Sequence, residues 1–159
     1  MTPLTVGSTA PDFSLAPAPG PDQISLHDQR GRTVVLLFVP LAFSGTCTDE
    51  FCHLRDHWDV WGDLDATVLG VSVDSPFTVK AWANDMGVPF PVLSDFNKDV
   101  VQAYGVMHED WWGLKGVGQR SVFVIDGDQK ITYVWVSEDS EGLPPFDEVE
   151  AAVRATQSS

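Results

Sequence analysis

The run Thr33 to Val39 (T-V-V-L-L-F-V) constrains the fold more than any other segment. It is β-branched, aliphatic and aromatic without polar alternation, which reads as a strand covered on both faces rather than one half-exposed to water. A strand of that kind needs helices on both sides of its sheet. The rest of the chain supplies them. Cys47, Phe51, Leu54, Trp58 and Trp61 recur at spacings of 4, 3, 4 and 3, which predicts an amphipathic helix. Ala66 to Val73 is a second buried strand, and Phe77 to Met86 a helix between Pro76 and Gly87. Phe90 to Leu93 is a short segment, and Asn97 to Tyr104 a short helix closed by Gly105. Arg120 to Ile125 and Lys130 to Val136 are strands joined by Asp126-Gly127-Asp128-Gln129, a hairpin signal. Phe146, Val149 and Val153 mark a last helix, with Pro144-Pro145 leading in. The order predicts an α/β architecture with a central mixed β-sheet flanked by helices, compatible with a thioredoxin-like fold.

A chain of 159 residues fits one domain, expected here over 1–159. The Pro/Gly-rich stretch Ala16 to Pro21 is a loop too near the N-terminus to separate two domains. Fraying is expected over Thr156 to Ser159.

Nine basic residues against 23 acidic ones, a formal charge of −14, oppose binding to nucleic acid. The longest apolar run, Val34 to Pro40, is far too short to span a bilayer. Met1 to Pro17 lacks a basic region followed by an apolar one, so the expected location is cytoplasmic. Two cysteines are too few for a disulfide scaffold. In a reducing compartment they are buried small side chains, metal ligands or reactive thiols.

Cys47 follows a buried strand and falls in the first turn of a helix. Free backbone N–H groups and the positive end of the helix dipole favour a thiolate there. Gly45 allows close approach of a small ligand, and the Ser44 hydroxyl can accept from a substrate, donate to a thiolate or cap the helix. Pro40 ends the strand and can wall the pocket. A thiolate, a hydroxyl and convergent donors suit attack on a peroxide, where the leaving oxygen gains negative charge.

The spacing of Pro40, Ser44 and Cys47 resembles the active-site signature of the peroxiredoxins, and P-L-A-F-S-G-T-C is similar to their alkyl hydroperoxide reductase E type. Thr9-Ala10-Pro11-Asp12-Phe13 resembles the family's N-terminal strand signal, Glu50 its pocket-organising acid and Arg120 its distal arginine. The resemblance runs in order over residues 5–155. It implies that Cys47 is the peroxidatic cysteine, oxidised to sulfenic acid. Ser44 then hydrogen-bonds peroxide, Arg120 stabilises the thiolate and the polarised peroxide, Glu50 orients Arg120, and Pro40 shields the site. It implies no metal, haem or flavin. It also implies a homodimer, and a thiol reductant such as thioredoxin, a glutaredoxin-like protein or a low-molecular-weight thiol.

Cys52 lies five residues beyond Cys47. On an ideal helix that separation gives Cα atoms roughly 8 to 9 Å apart, beyond disulfide reach, so a bond requires the first turns to unwind. The C-x4-C spacing resembles the bacterioferritin comigratory (Q-type) peroxiredoxins, which implies a resolving role; a packed thiol beside Phe51 is the alternative. Three other readings compete. Cys47, Cys52, His53 and His57 contain an i, i+4 histidine pair able to bind zinc, although one short helix cannot converge all four on one ion. A disulfide reductase would ordinarily carry C-x-x-C. A non-catalytic interaction module could use Trp111-Trp112, which suit either an interface or the core. His27 and His108 show no partner in the sequence and are expected to be solvated loop residues.

Overall fold

The computed structural model describes residues 1–157. A short antiparallel pair, β1 (Ser14–Leu15) and β2 (Ile24–Ser25), precedes the main sheet. The sheet consists of β3 (Thr33–Phe38), β4 (Ala66–Ser72), β5 (Val92–Ser94), β6 (Ser121–Ile125) and β7 (Ile131–Val136) in the order β5-β4-β3-β6-β7. β3, β4 and β5 run parallel, whereas β6 is antiparallel to β3 and to β7. The helices are α1 (Gly45–Asp56), α2 (Trp58–Trp61), α3 (Pro76–Met86), α4 (Asp99–Ala103) and α5 (Phe146–Gln157).

β3 is central, and every one of its residues is buried. Its side chains alternate between two cores. Val34, Leu36 and Phe38 join Phe13, Val100, Tyr104 and Phe123 on one face. Val35 and Leu37, with Val39 just beyond the strand, join Phe51, Leu54, Trp82 and Val153 on the other. Period-two alternation with both sets apolar explains why the run shows no polar positions. The second face receives α1, α2, α3 and α5, so the helix carrying Cys47 packs onto the sheet through Phe51 and Leu54. Burying a side chain of that size contributes about 2 kcal/mol.

Local chemistry sets the element ends. Ser75 accepts the Thr78 N–H and Pro76 occupies the first turn of α3, while Gly87 closes it at φ 66°. The Asp95 carboxylate accepts the N–H groups of Val100 and Val101, holding the start of α4. Thr156 and Gln157 remain helical, and 158–159 lie outside the described residues.

Several element ends shift by one or two residues, the helix expected at Asn97 to Tyr104 spanning Asp99–Ala103, and three regions depart further from the sequence reading. The stripe ending at Trp61 is two helices, because His57 leaves helical geometry at φ −110°, ψ 25°, with both its N–H and ring Nδ1 against the His53 carbonyl. The strand expected at Phe90 to Leu93 starts at Val92, since Pro91 has no N–H for the ladder and only its carbonyl pairs, with Gly70. Thr9 to Phe13 is not a strand; Thr9 makes an isolated bridge to Lys130 and the ladder begins at Ser14.

Candidate active site

The register of the sheet creates the site. Phe38 pairs with Ser121, so Arg120, one residue before β6, lies beside the outgoing end of β3. From that end the chain passes through buried Pro40, turns with Phe43 at φ 66°, and enters α1 at Gly45. Cys47 therefore sits in the first turn of α1, where N–H groups have no intrahelical acceptor.

Cys47 and Glu50 are fully buried and Arg120 is 1% exposed. Arg120 Nη2 lies 3.3 Å from Cys47 Sγ and Nη1 donates to Glu50 Oε1 at 2.8 Å. Burial opposes the arginine's charge, but Glu50 and Cys47 beside it outweigh that and raise its pKa. Burial pushes Glu50 up from 4.5 to about 7, against the attraction of Arg120. Its second oxygen, Oε2, has no partner, which is consistent with that shift.

Ser44 stands at the N-cap position of α1 with extended backbone, yet its hydroxyl makes no cap bond. That Oγ is buried and unpartnered. A buried hydroxyl without a partner calls for an explanation, and a small ligand at the helix start would provide one. A cleft of about 370 Å³ opens here, lined by Ser44, Thr46, Trp111, Trp112, Arg120 and Ser140 among others. Trp111 and Trp112 stack at 5.1 Å and 6°, and Trp112 is 78% exposed. The preceding loop is held by Asp74, whose Oδ2 accepts the Ala42 N–H at 2.6 Å and also the Ser72 hydroxyl.

Cys52 is half-buried at the edge of the core, and both thiols are free. α1 is continuous across the two cysteines, so joining them requires local unwinding. His53 and His57 stack at 4.2 Å, and His53 also stacks on Phe146 at 4.0 Å. No cluster of three or more metal-ligating side chains occurs among the described residues.

His108 is not solvated as expected. It is buried, and its Nε2 lies 2.7 Å from Ser140 Oγ. Ser140 in turn accepts the Arg120 N–H through Oγ at 2.9 Å and Arg120 Nε through its carbonyl at 3.1 Å. Neither residue carries a sequence signal for this, because the contacts bring together segments 20 and 32 positions apart.

Known proteins resemble the chain in sequence and in fold. Residues 6–134 match the profile of the AhpC/TSA family. The chain is 40% identical over 141 residues to alkyl hydroperoxide reductase E of Mycobacterium tuberculosis, covering 87% of this chain and 89% of that protein. It is 36% identical over 162 residues to peroxiredoxin-2 of Mus musculus, covering 96% and 78%. Mycobacterium tuberculosis AhpC superposes with a TM-score of 0.83 at 30% identity, covering 99% of this chain and 95% of that one. Peroxidoxin BcpB from Mycobacterium tuberculosis gives 0.80 at 30% identity, covering 94% and 96%.

Proposed function

The chain belongs to the AhpC/TSA family and is a thiol-dependent peroxidase with a thioredoxin-like fold, and from that premise we propose that Cys47 is its reacting thiol. The observation that carries this is the buried contact of Arg120 Nη2 with Cys47 Sγ at 3.3 Å, in the first turn of α1. The Cys47 thiolate attacks one peroxide oxygen. An S–O bond forms, the O–O bond breaks, and the leaving oxygen takes a proton to become water or an alcohol. Cys47 becomes a sulfenic acid, oxidised by two electrons. Arg120 and the unpaired N–H groups of α1 stabilise the charge on the leaving oxygen. The free Ser44 Oγ orients the peroxide, Glu50 holds Arg120, and Pro40 limits water access.

Cys47 has no exposed surface, so peroxide enters beside Ser44 and Thr46, and that turn must shift to admit it. The same cleft offers room for an alkyl or aryl substituent, which supports organic hydroperoxides as substrates alongside hydrogen peroxide. No cofactor is required, since both electrons come from sulfur. The sulfenic acid is resolved by Cys52 after the start of α1 unwinds, and the resulting disulfide is reduced by a thioredoxin, a glutaredoxin-like protein or a low-molecular-weight thiol. We place the protein in the cytoplasm as one domain and a homodimer. Exposed Phe43, Phe77 and Trp112 support an interface near the active-site loops. No described helix is long and apolar enough to cross a membrane.

Steady-state peroxide consumption with a panel of thiol donors tests the reading. Wild type turns over and Cys47→Ser does not. Retained turnover in Cys47→Ser overturns the assignment, and wild type that reduces insulin disulfides without consuming peroxide favours a disulfide reductase.

A further inference from the structure

We propose that Ser140 and His108 are positioning residues that fix Arg120 against Cys47; the inference rests on Cys47 being the reacting thiol. A guanidinium is planar, so two acceptors on two of its nitrogens fix where the third points. Glu50 Oε1 takes Nη1 at 2.8 Å and the Ser140 carbonyl takes Nε at 3.1 Å. Nη2 is thereby left facing Sγ at 3.3 Å. Glu50 alone would leave the plane free to pivot about a single contact.

The Ser140 carbonyl points at Nε because Ser140 adopts φ 60°. That left-handed conformation is unfavourable for a residue with a side chain and persists only where its surroundings enforce it. The enforcing contacts are on its hydroxyl. Oγ accepts the Arg120 backbone N–H at 2.9 Å and meets His108 Nε2 at 2.7 Å. Ser140 is 1% exposed and His108 7%, so both bonds are buried.

His108 is itself anchored. Its N–H donates to the Val117 carbonyl at 2.7 Å, and its carbonyl accepts the Gly116 N–H at 2.9 Å. Its ring stacks on Trp111 at 6.0 Å, and Trp111 Nε1 donates to the Asp139 carbonyl at 3.1 Å. Burial lowers the His108 pKa, against the opposing pull of Asp139. The loop bearing Ser140 thus holds Arg120 through its backbone N–H and its Nε, and the loop bearing His108 reaches Arg120 through Ser140.

The test compares Ser140→Ala, His108→Ala and His108→Gln, each in a Cys52→Ser background so that Cys47 is the only thiol. Two reactions are followed: the second-order oxidation of Cys47 by hydrogen peroxide, and the pH profile of its alkylation by iodoacetamide. Ser140→Ala is expected to slow oxidation about tenfold and to move the alkylation profile to higher pH, since a small misplacement of a charge-stabilising group is enough for that. His108→Ala moves both readouts the same way. His108→Gln, whose amide can reach the same hydroxyl, restores most of the loss. A merely structural role lowers the melting temperature without moving either readout, and that result overturns the proposal. If Ser140→Ala does not fold, the histidine pair decides: wild-type reactivity in His108→Ala, or no difference between His108→Ala and His108→Gln, also overturns it. Alkylation needs no peroxide. It therefore reads the Arg120–Cys47 contact even if wild-type Cys47 fails to react with peroxide, the result that refutes the peroxidase reading instead.

Discussion

Replacing Glu50 with Gln tests the electrostatics of the site through stability. Glu50 is fully buried, bonded to Arg120 through one oxygen, and has a second oxygen with no partner. Burial raises its pKa from 4.5 to about 7. Between those values the folded protein holds a proton that the unfolded chain releases. Stability from this group is therefore fully present below 4.5 and is lost as pH rises through about 7. At about 1.4 kcal/mol for each pH unit of displacement, the full loss is roughly 3 kcal/mol. Glu50→Gln removes the titration and keeps an amide oxygen for Nη1. The assay is urea unfolding of reduced wild type and Glu50→Gln at pH 5 and pH 8. Removing a partner from a buried pair costs the variant an offset at each pH. What matters is the change in the difference between the two proteins. Wild type should lose roughly 2–3 kcal/mol relative to the variant between the two pH values, since most but not all of the titration lies between them. A difference that stays constant with pH, or that moves in wild type's favour, would refute a raised carboxyl pKa.

Cys52→Ser should leave persistent sulfenic acid after one equivalent of peroxide, where wild type yields an intramolecular disulfide by mass spectrometry. An identical product in both removes Cys52 from resolution. Trp112→Ala should lower the ratio of the oxidation rates for cumene hydroperoxide and hydrogen peroxide by about tenfold, the scale of one lost apolar contact surface. An unchanged ratio excludes the tryptophan wall as a determinant of substrate choice. Gly70→Ala should destabilise by about 1–3 kcal/mol in thermal or urea unfolding. A Cβ there would lie 2.7 Å from the ring of Phe51, in the helix that carries Cys47, and that ring stacks on Trp82 of α3 at 5.0 Å.

Much of the fold was legible because its determinants are local. The uninterrupted apolar run at Thr33 to Val39 implies a strand with two cores, and both are present. Gly87 and Pro76 bound α3 as glycine and proline chemistry require. The misplaced boundaries came from interactions that a hydrophobic period does not encode. His57 keeps the stripe in register while its side chain competes for the His53 carbonyl and breaks the helix. At Pro91, an apolar run continues through a residue that cannot donate to the ladder.

The sequence by itself determined which atoms are available: a thiol at a helix start, a hydroxyl three residues before it, a carboxylate three after, and an arginine ahead of a late strand. Only the tertiary structure decided how those atoms meet. The pairing of Phe38 with Ser121 brings Arg120 across 73 residues to Cys47. Burial left Ser44 Oγ and Glu50 Oε2 without partners and raised the Glu50 pKa. It also brought Ser140 to Arg120, and to Ser140 the His108 that reads in sequence as a solvated loop residue. Local propensity is written in short spacings along the chain. Desolvation and hydrogen-bond geometry depend on which distant segments the sheet register places side by side.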